Sequence, residues 1–471
     1  MAPVRIILND LTENPTCEHG PTVLFQITND SDRPEEEYFA CTASRNGECS
    51  FHIKKNGESR YMRNEVKTSI ATEMFTEVRN AEASQKMYCI TCQKLLLKSD
   101  LSYHKNHRVY DELDEETLKE PTRVLLPLSR DGNEAQYFFT DSALHCFESI
   151  FRHLMITKVL CVGAPRLHEY LSTKTNISSL LLDIDERFRW FYDEDHFVHY
   201  NMFNHYFFNG QCAENVFGNF LLNPGFSHRI CIFTDPPFGC RTELLANAIR
   251  TINQSYNRIN STTQEILPVF LIFPYFMENY VQKVMSAMEM TDYQVNYSNH
   301  DKFHDGKSGL KNGTPVRMFT NVPMDSFSLP ADQGYKYCSK CRRYTHISNS
   351  HCSICKMCPS KNGSTYRHCL KCNWCVKPNY KHCNRCGRCT QIQGHVCHSY
   401  VNQITCRICT TKGHTEKNCV YWKIKHKKFN TGCLICGGKS HIIKHCKLRK
   451  QRLKEKYFLG NYSNSINNIV E

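Results

Sequence analysis

A four-residue corner, Asp235-Pro236-Pro237-Phe238, carries the most specific chemistry in the sequence. It follows the apolar run 229–234, so it lies at the carboxyl end of a predicted strand, where open α/β sheets bind ligands. Asp235 can accept a hydrogen bond from an exocyclic amine, the proline turn presents a carbonyl to its second hydrogen, and Phe238 offers a face to an unstacked base. We predict that these four residues are catalytic. They would act chiefly by positioning, because the lone pair of an exocyclic amine is delocalised into the ring of the base and must be oriented for attack. Alone, the motif is also typical of a plain turn.

Two earlier segments predict the binding site of a nucleotide-like cofactor. The run 158–166 is an apolar strand followed by Gly163, as in a nucleotide-binding loop. The next apolar run ends in Asp183 and Asp185, and an acid at that place can hydrogen-bond ribose hydroxyls. The loop has a single glycine, which disfavours a nicotinamide cofactor. With Asp-Pro-Pro-Phe on the fourth strand, these parts follow the order found in class I amino-methyltransferases.

The elements that must position these residues lie between residues 121 and 330. Strand-like apolar runs alternate there with helix-length stretches, which predicts an α/β fold with an open sheet. The predicted strands are 158–163, 179–184, 197–203, 229–234, 267–273, 293–297 and 316–320, and the predicted covering helices are 241–258 and 278–290.

Cysteine and histidine dominate the remainder of the chain. Of its 28 cysteines, eighteen lie between Cys338 and Cys446, mostly in Cys-x2-Cys pairs interleaved with histidine. Disulfides would suit a secreted domain, but the N-terminus does not resemble a signal peptide. We therefore expect several structural zinc sites in a reducing compartment.

The ligand spacing predicts four kinds of zinc module. Two knuckles share the pattern Cys-x2-Cys-x4-His-x4-Cys, and knuckles commonly bind single-stranded RNA, although a structural or protein-contact role is the alternative. A threefold His-Cys repeat before them supplies ligands for about four sites, whose pairing the sequence leaves open. Nearer the N-terminus lie a quartet similar to a GRF-type finger and a two-Cys, two-His finger. The predicted ligands are Cys17, His19, Cys41, Cys49, Cys89, Cys92, His104, His107, Cys338, Cys341, His351, Cys352, Cys355, Cys358, His368, Cys369, Cys372, Cys375, His382, Cys383, Cys386, Cys389, His395, Cys397, Cys406, Cys409, His414, Cys419, Cys433, Cys436, His441 and Cys446.

Charge and hydropathy narrow the class of partner. The net charge is +13, with acidic residues gathered in 111–120 and Lys and Arg crowded in 423–456. A polyanionic partner fits this asymmetry, and a merely solvated basic tail is the alternative. No apolar run approaches the roughly 18 residues of a membrane span, which disfavours a membrane enzyme.

Ordered segments along the chain resemble one family. They are 128–139, 159–168, 181–185, 200–205 and 235–239, together with the Cys17/His19 finger, the His-Cys repeats and the knuckle. On these segments the chain resembles the animal zinc-finger CCHC-domain rRNA adenine-N6 methyltransferases over nearly its whole length. The resemblance implies a Rossmann-like class I methyltransferase domain flanked by small zinc-binding modules. It also implies S-adenosylmethionine as donor, one adenosine of large-subunit ribosomal RNA as acceptor, and work in the nucleolus, with presence in the cytoplasm.

The resemblance also assigns cofactor residues. It implies that Gln136 caps the cofactor, that 163–166 surround its methionine end and that 201–203 border its adenine. The predicted cofactor residues are Gln136, Gly163, Ala164, Pro165, Arg166, Asp183, Asp185, Arg187, Asn201, Met202, Phe203 and Asp235. The alternatives, without the resemblance, are that Gln136 only forms hydrogen bonds within its loop, that Asp185 and Arg187 form a surface ion pair, and that Asn201 caps a strand.

Other functions remain open at this level. A catalytically silent RNA-binding or ribosome-assembly scaffold is one, and a methyltransferase for cytosine or a protein glutamine is another. The His-Cys repeat also resembles the zinc ladder of protein palmitoyltransferases, but Tyr380-Lys381-His382-Cys383 stands where their Asp-His-His-Cys nucleophile motif is expected, which disfavours acyl transfer. The predicted domains are a GRF-type finger (12–55), a two-Cys, two-His finger (86–110), the methyltransferase domain (121–330), the His-Cys repeats (335–400), two knuckles (404–448) and a basic tail (449–471).

Overall fold

The structure is a computed structural model that describes residues 4–8, 11, 13–28, 34–42, 49, 51–55, 69–128, 136–299 and 314–395, without the side chains of 28, 34, 35 and 69–73. The chain divides into two compact units. The larger consists of Ile6–Phe25 and Glu37–Thr365, and the smaller of Met1–Arg5, Gln26–Glu36 and Tyr366–Glu471. The domain boundaries drawn from the sequence stay predictions.

Strands and helices follow one another along the chain in the order of their numbering. The strands are β1 (Val4–Ile7), β2 (Thr16–Cys17), β3 (Gly20–Pro21), β4 (Val23–Thr28), β5 (Pro34–Ala40), β6 (His52–Lys54), β7 (Lys86–Cys89), β8 (Lys94–Leu97), β9 (Val109–Tyr110), β10 (Lys158–Val162), β11 (Ser178–Asp183), β12 (Phe197–Asn201), β13 (Tyr206–Phe207), β14 (Ile230–Thr234), β15 (Val269–Pro274), β16 (Glu289–Gln294), β17 (Val316–Thr320), β18 (Tyr335–Cys338), β19 (Arg343–His346), β20 (Arg367–Cys369), β21 (Trp374–Val376), β22 (Tyr380–Cys383) and β23 (Arg388–Gln391). The α-helices are α1 (Ser69–Asn80), α2 (Glu115–Lys119), α3 (Asp141–His153), α4 (Pro165–Lys174), α5 (Gly210–Leu221), α6 (Thr242–Ile259) and α7 (Glu278–Val284).

An eight-stranded sheet organises the larger unit, in the order β13-β12-β11-β10-β14-β15-β17-β16. Strands β12, β11, β10, β14 and β15 pair in parallel, whereas β13, β17 and β16 pair antiparallel with their neighbours. The chain builds outward from β10 first to one side and then to the other. The carboxyl ends of β10, β11 and β14 therefore border one crevice, the usual ligand site of such a sheet. The predicted α/β class is confirmed.

The sheet is buried on both faces, which explains why its strands are apolar runs. Successive residues of β10 point to opposite faces, so Cys161 packs in a core with Phe147 of α3 and Leu167 of α4. Its neighbour Val162 packs in a second core that includes Leu245 of α6. Two apolar layers therefore hold the strand ends in place.

Most predicted strands coincide with observed ones to within a few residues, but the region after α7 differs. The predicted helix 278–290 is wrong beyond Val284, because Met285 has φ −135° and ψ 76° and ends α7. Glu289 and Met290 instead begin β16, where they lie opposite Thr320 and Phe319 of β17. The backbone of residues 289–294 obtains hydrogen-bond partners by pairing with β17, and these hydrogen bonds outweigh the local preference for a helix. The observed strand β16 likewise begins and ends nearer the N-terminus than the predicted strand 293–297.

Short antiparallel hairpins form most of the cysteine-rich segments. In the larger unit β18 pairs with β19, and in the smaller unit β20 pairs with β21 and β22 with β23. No disulfide links the cysteines within the described ranges. Among the helices that the structure describes, none is long and apolar enough to span a membrane.

Candidate active site and zinc centres

Gly163, directly after β10, is the point at which three parts of the crevice meet. Its φ of +66° favours glycine. A Cβ built there would lie 2.8 Å from the terminal methyl of Met202 and 3.2 Å from the carbonyl oxygen of Asp235. The backbone is tied to both neighbouring strands, since Gly163 donates to the Leu182 carbonyl (2.9 Å) and Asp235 donates to that of Val162 (3.2 Å). The predicted glycine loop, adenine border and catalytic corner are thus brought together.

The carboxylate of Asp235 is held by a tyrosine that follows β16 along the chain. The Tyr297 hydroxyl donates to Asp235 Oδ1 over 3.0 Å. Burial raises the pKa of Asp235 well above its usual range, the Tyr297 hydrogen bond opposes that rise, and nearby Asp183 adds to it. The second carboxylate oxygen can then accept from a ligand while the first is fixed.

An aromatic cluster surrounds this corner. The half-buried Phe238 ring has its centroid 6.3 Å from that of Tyr137, with the planes 27° apart, and 6.2 Å from that of Tyr297. Tyr297 also stacks on Phe139, with centroids 5.1 Å apart. Pro236 is buried and Pro237 is exposed, and the Pro237 carbonyl accepts from Cys240 N (2.9 Å), which closes the turn. Phe238 therefore has a fixed orientation and a partly accessible surface.

The predicted ribose acids belong to a buried polar network at the end of β11. Asp183 Oδ1 accepts from the Asp185 amide (2.9 Å), and Arg187 forks onto Asp185 with bonds of 2.8 Å and 2.6 Å. Burial and the charge of Asp185 raise the pKa of Asp183 to about 7. Gln136 joins the network by donating to Asp185 (3.3 Å) and accepting from Arg187 (3.3 Å). Asp185 and Arg187 are only 6% and 9% exposed, so they are not a surface ion pair.

The other predicted cofactor residues lie in two different settings. Asn201 Oδ1 accepts from Phe203 N (3.1 Å) and forms a turn from which Met202 reaches Gly163. Ala164 is buried and Pro165 begins α4. The Arg166 guanidinium instead contacts Glu169, Thr122 (3.2 Å) and Asp141 (3.2 Å), along the start of α4. The cofactor role of each of these residues stays a prediction.

The two N-terminal ligand quartets have the dimensions of zinc sites. Cys17, His19, Cys41 and Cys49 form one cluster, and Cys89, Cys92, His104 and His107 another, with ligand atoms within 4.8 Å of one another. Tetrahedral zinc with bonds of about 2.3 Å to sulfur and 2.05 Å to nitrogen separates such atoms by about 3.6 Å. The observed separations between sulfur and Nδ1 are 3.6 Å for Cys41 and His19 and 3.6 Å for Cys89 and His107. Both quartets therefore fit zinc.

Ligands in the His-Cys repeats interlock rather than forming one site per repeat. In the larger unit, Cys338 and Cys341 gather with His351 and Cys358 of the following repeat. In the smaller unit, Cys369 and Cys372 gather with His382 and Cys389 in the same way. The sulfur separations of 3.7 Å between Cys341 and Cys358 and between Cys372 and Cys389 fit the same tetrahedral geometry.

The remaining predicted ligands are placed only in part. The Cys352 sulfur accepts from the Cys355 amide (3.4 Å) in the larger unit. In the smaller unit, the Cys375 sulfur lies 3.8 Å from His368 Nδ1, and the Cys386 sulfur lies 3.4 Å from His395 Nε2. Cys383 is the last residue of β22. The predicted ligands that lie outside the described residues are Cys397, Cys406, Cys409, His414, Cys419, Cys433, Cys436, His441 and Cys446.

Comparison with known proteins identifies the family of this chain. A family model described as "Probable N6-adenine methyltransferase" matches residues 130–321. Human rRNA N(6)-adenosine-methyltransferase ZCCHC4 is 36% identical over 381 residues, covering 76% of this chain and 74% of that protein. The Xenopus laevis protein of the same name is 37% identical over 356 residues, covering 72% of each chain. The chain belongs to the ZCCHC4 family of rRNA N(6)-adenosine-methyltransferases.

Membership of a methyltransferase family implies S-adenosylmethionine as the methyl donor, and the crevice fits it. Glycine at 163 leaves open the space that a side chain would fill, and the carboxylates of Asp183 and Asp185 offer acceptors beside it. The sequence prediction missed Tyr297, Gln93 and Asn204, which contact the predicted site residues. The apolar pattern marks Tyr297 only as a strand residue, and no spacing pattern marks the other two.

Proposed function

We propose that this protein methylates the exocyclic amine of one adenosine in large-subunit ribosomal RNA, with S-adenosylmethionine as donor. The observation that carries the proposal is the Asp235 carboxylate, fixed by Tyr297 beside the half-buried Phe238 ring at the mouth of the Gly163 crevice. The names of the relatives, rRNA N(6)-adenosine-methyltransferases, support adenosine in ribosomal RNA as the acceptor.

The residues of the corner would act mainly by orientation. Asp235 accepts a hydrogen bond from the adenine amine, which localises the nitrogen lone pair, and Phe238 supports the flipped base. S-adenosylmethionine, when bound, supplies an electrophilic methyl group on a sulfonium. Asp183 and Asp185 hold ribose hydroxyls, and the surrounding apolar cores exclude water, which strengthens each of these polar contacts.

The test is methyl transfer to purified ribosomal RNA by protein carrying Asp235→Ala, with the product nucleoside identified by mass spectrometry. We expect a loss of roughly a hundredfold or more, as when a key transition-state contact is removed. Asp195→Ala, an exposed aspartate of the same domain, is the matched control. Near-parental activity of Asp235→Ala with its zinc retained would overturn the proposal.

Two alternatives give different results in the same assay. A ribosome-assembly scaffold without activity would form no product and need not bind S-adenosylmethionine. A methyltransferase for another amine would yield methylcytosine or methylglutamine in place of N6-methyladenosine. Product identity and cofactor binding, measured with the parent protein, therefore separate the three functions.

A cellular setting accompanies the proposed activity. We propose that the protein works in the nucleolus, is also present in the cytoplasm, and meets ribosome-assembly or RNA-processing proteins there. A net charge of +13 is consistent with a polyanionic partner. Fluorescence imaging of the tagged full chain should show nucleolar enrichment, and its exclusion from the nucleus would contradict this part of the proposal.

A further inference from the structure

The two-Cys, two-His finger reaches into the polar network at the end of β11. Gln93, which follows the ligand Cys92, accepts a hydrogen bond at Oε1 from Arg187 Nη1. The same arginine holds Asp185 through Nε (2.8 Å) and Nη2 (2.6 Å). A side chain of the finger thus fixes the arginine that orients a predicted ribose-binding acid.

Metal ligands hold the turn that presents Gln93. Gln93 has φ +55°, which is uncommon for a residue other than glycine and costs roughly 1 kcal/mol or more. The Cys92 amide donates to the Cys89 sulfur (3.3 Å), so the two cysteines close the turn around the metal position. Met87, Cys89 and Leu96 form a small buried cluster beneath it. The position of Gln93 therefore depends on the ligand geometry.

The GRF-type finger contacts the opposite side of the predicted cofactor site. The carbonyl of the ligand His19 accepts from Asn201 Nδ2 (2.9 Å) and Asn204 Nδ2 (3.0 Å), and Asn204 also donates to the Pro21 carbonyl (2.8 Å). Gly20 has φ +96°, and a Cβ built there would lie 2.4 Å from the Tyr206 ring. The metal-binding loop is thus closely fitted to the 201–203 turn that carries Met202.

We propose that the two N-terminal zinc sites set the cofactor affinity of the crevice, the first through the His19 carbonyl and Asn204, the second through Gln93 and Arg187. Gln93 is a positioning residue because it acts through Arg187. Asn204 is a positioning residue because it holds the His19 carbonyl to which Asn201 also donates. The inference rests on the proposed function, since it takes the crevice to be the S-adenosylmethionine site. Each zinc-held loop fixes donors or acceptors before the cofactor arrives, which lowers the ordering cost of binding.

The experiment measures the dissociation constant of S-adenosylhomocysteine by calorimetry, together with zinc content, for the full-length parent and single variants. Gln93→Ala removes one of the two acceptors of Arg187 Nη1, the other being the Leu126 carbonyl (3.0 Å). Asn204→Asp removes both hydrogen bonds that Asn204 donates, without a change of shape. We expect each to weaken binding about tenfold at parental zinc content, as loss of a hydrogen bond at a charged or buried site does. Gln93→Glu keeps the acceptor and should restore affinity to within about twofold.

Matched controls and a double variant distinguish positioning from general support. Ser102→Ala alters an exposed residue of the same finger, and Asn219→Asp repeats the amide-to-carboxylate change at an exposed site on α5. Both should bind S-adenosylhomocysteine like the parent. In an Arg187→Lys background, where the fork is lost but the charge stays, Gln93→Ala should weaken binding by less than about twofold more, because Gln93 acts through Arg187.

Each outcome has one meaning. Weaker binding by Gln93→Ala and Asn204→Asp, with rescue by Gln93→Glu, supports the inference. Parental affinity in both variants overturns it and leaves the proposed function intact. Additive losses in the Arg187→Lys background overturn the Gln93 route. A parent protein that binds neither S-adenosylhomocysteine nor S-adenosylmethionine would overturn the proposed function and this inference together.

Discussion

The α/β crevice and the zinc-binding hairpins gather polar groups by different physical means. In the crevice, Asp183 and Tyr297 are 7% and 1% exposed; Asp183 ends strand β11, which lies between two apolar cores, and Tyr297 belongs to one of these cores. In β20 to β23, all of which the structure describes, no residue is buried. The crevice is therefore shaped by apolar packing, whereas the hairpins depend on metal coordination for their stability.

Zinc removal should separate the two regions most strongly. After treatment with a chelator, amide hydrogen exchange in β20 to β23 should accelerate by more than about a hundredfold, because these strands contain no buried residue. Strands β10, β14 and β15 should keep their protection, since they lie between the apolar cores. Exchange measured by mass spectrometry on the full chain checks both regions at once.

Cys212→Ser is the control for loss of a thiol that is not a predicted zinc ligand. Cys212 is exposed, and its thiol donates to Glu194 Oε2 (3.9 Å). Its exchange pattern should match that of the parent. Equal loss of protection in the sheet and the hairpins would show that zinc also stabilises the sheet. That result would contradict the view that only the hairpins depend on metal coordination.

Tyr297→Phe tests whether the crevice depends on one polar contact within its apolar frame. The change deletes the donor to Asp235 Oδ1 and leaves the ring that stacks on Phe139. We expect kcat to fall by about tenfold to thirtyfold with little change in cofactor affinity, because orientation of the carboxylate is lost. The Tyr297 hydrogen bond lowers the pKa of Asp235, so its removal should move the acidic limb of the pH profile of kcat to higher pH.

Tyr293→Phe supplies the matched control. Tyr293 is also buried, but its hydroxyl donates to Gln333 Oε1 (3.1 Å), away from the Asp235 corner. That variant should retain the pH profile of the parent even where its stability falls. An identical loss of kcat and an unshifted profile in both variants would mean that Tyr297 is only a packing residue.

Features of both regions that depend on local spacing are predictable from the chain. Asp-Pro-Pro-Phe after an apolar run marks the end of β14, and the Cys-x2-Cys spacing identifies ligands that the structure clusters. The resemblance to the methyltransferase family adds predictions for the other residues of the crevice. The α/β class and the membership of the described ligand clusters in zinc modules accordingly follow from residue types and their spacing.

Features that depend on pairing between distant segments are not predictable in this way. Tyr297 reaches Asp235 only because β16 and β17 return to the sheet, and Phe139 and Tyr297 form an isolated bridge. Likewise, the spacing could not show that Cys341 shares a site with Cys358 of the next repeat. Even the helix predicted over 278–290 yields to β16, because strand pairing satisfies its later residues better than a continued helix.

Gly163→Ala tests how closely the residues of the crevice, none of which is a predicted zinc ligand, are packed around Gly163. We expect a stability loss of about 1 to 2 kcal/mol from the positive φ and an affinity loss for S-adenosylhomocysteine of about tenfold from the added methyl group. Gly225→Ala is the control, since Gly225 has φ +65° but no atom within 4 Å of an added Cβ. It should lose no more stability than Gly163→Ala in thermal unfolding and retain affinity. Equal affinity in the two variants would show that the space beside Gly163 does not limit binding.

The smallest expected effect is on the free energy of unfolding, and it comes from the burial of the Asp183 carboxylate between the apolar cores. Burial and Asp185 raise the pKa of Asp183 from 3.8 to about 7, so the folded state retains a proton that the unfolded state has released. The stability contributed by this proton is full below pH 3.8 and is lost as the pH rises through 7.

Asp183→Asn keeps an acceptor for the Asp185 amide and removes the ionisation. Without cofactor, the variant should gain about 1 kcal/mol over the parent at pH 8, roughly 2 to 4 °C in Tm, and much less at pH 5. Asp195→Asn, at an exposed aspartate, is the control, and a gain at Asp183 that stayed constant or shrank as the pH rose would contradict the assigned direction of the pKa shift.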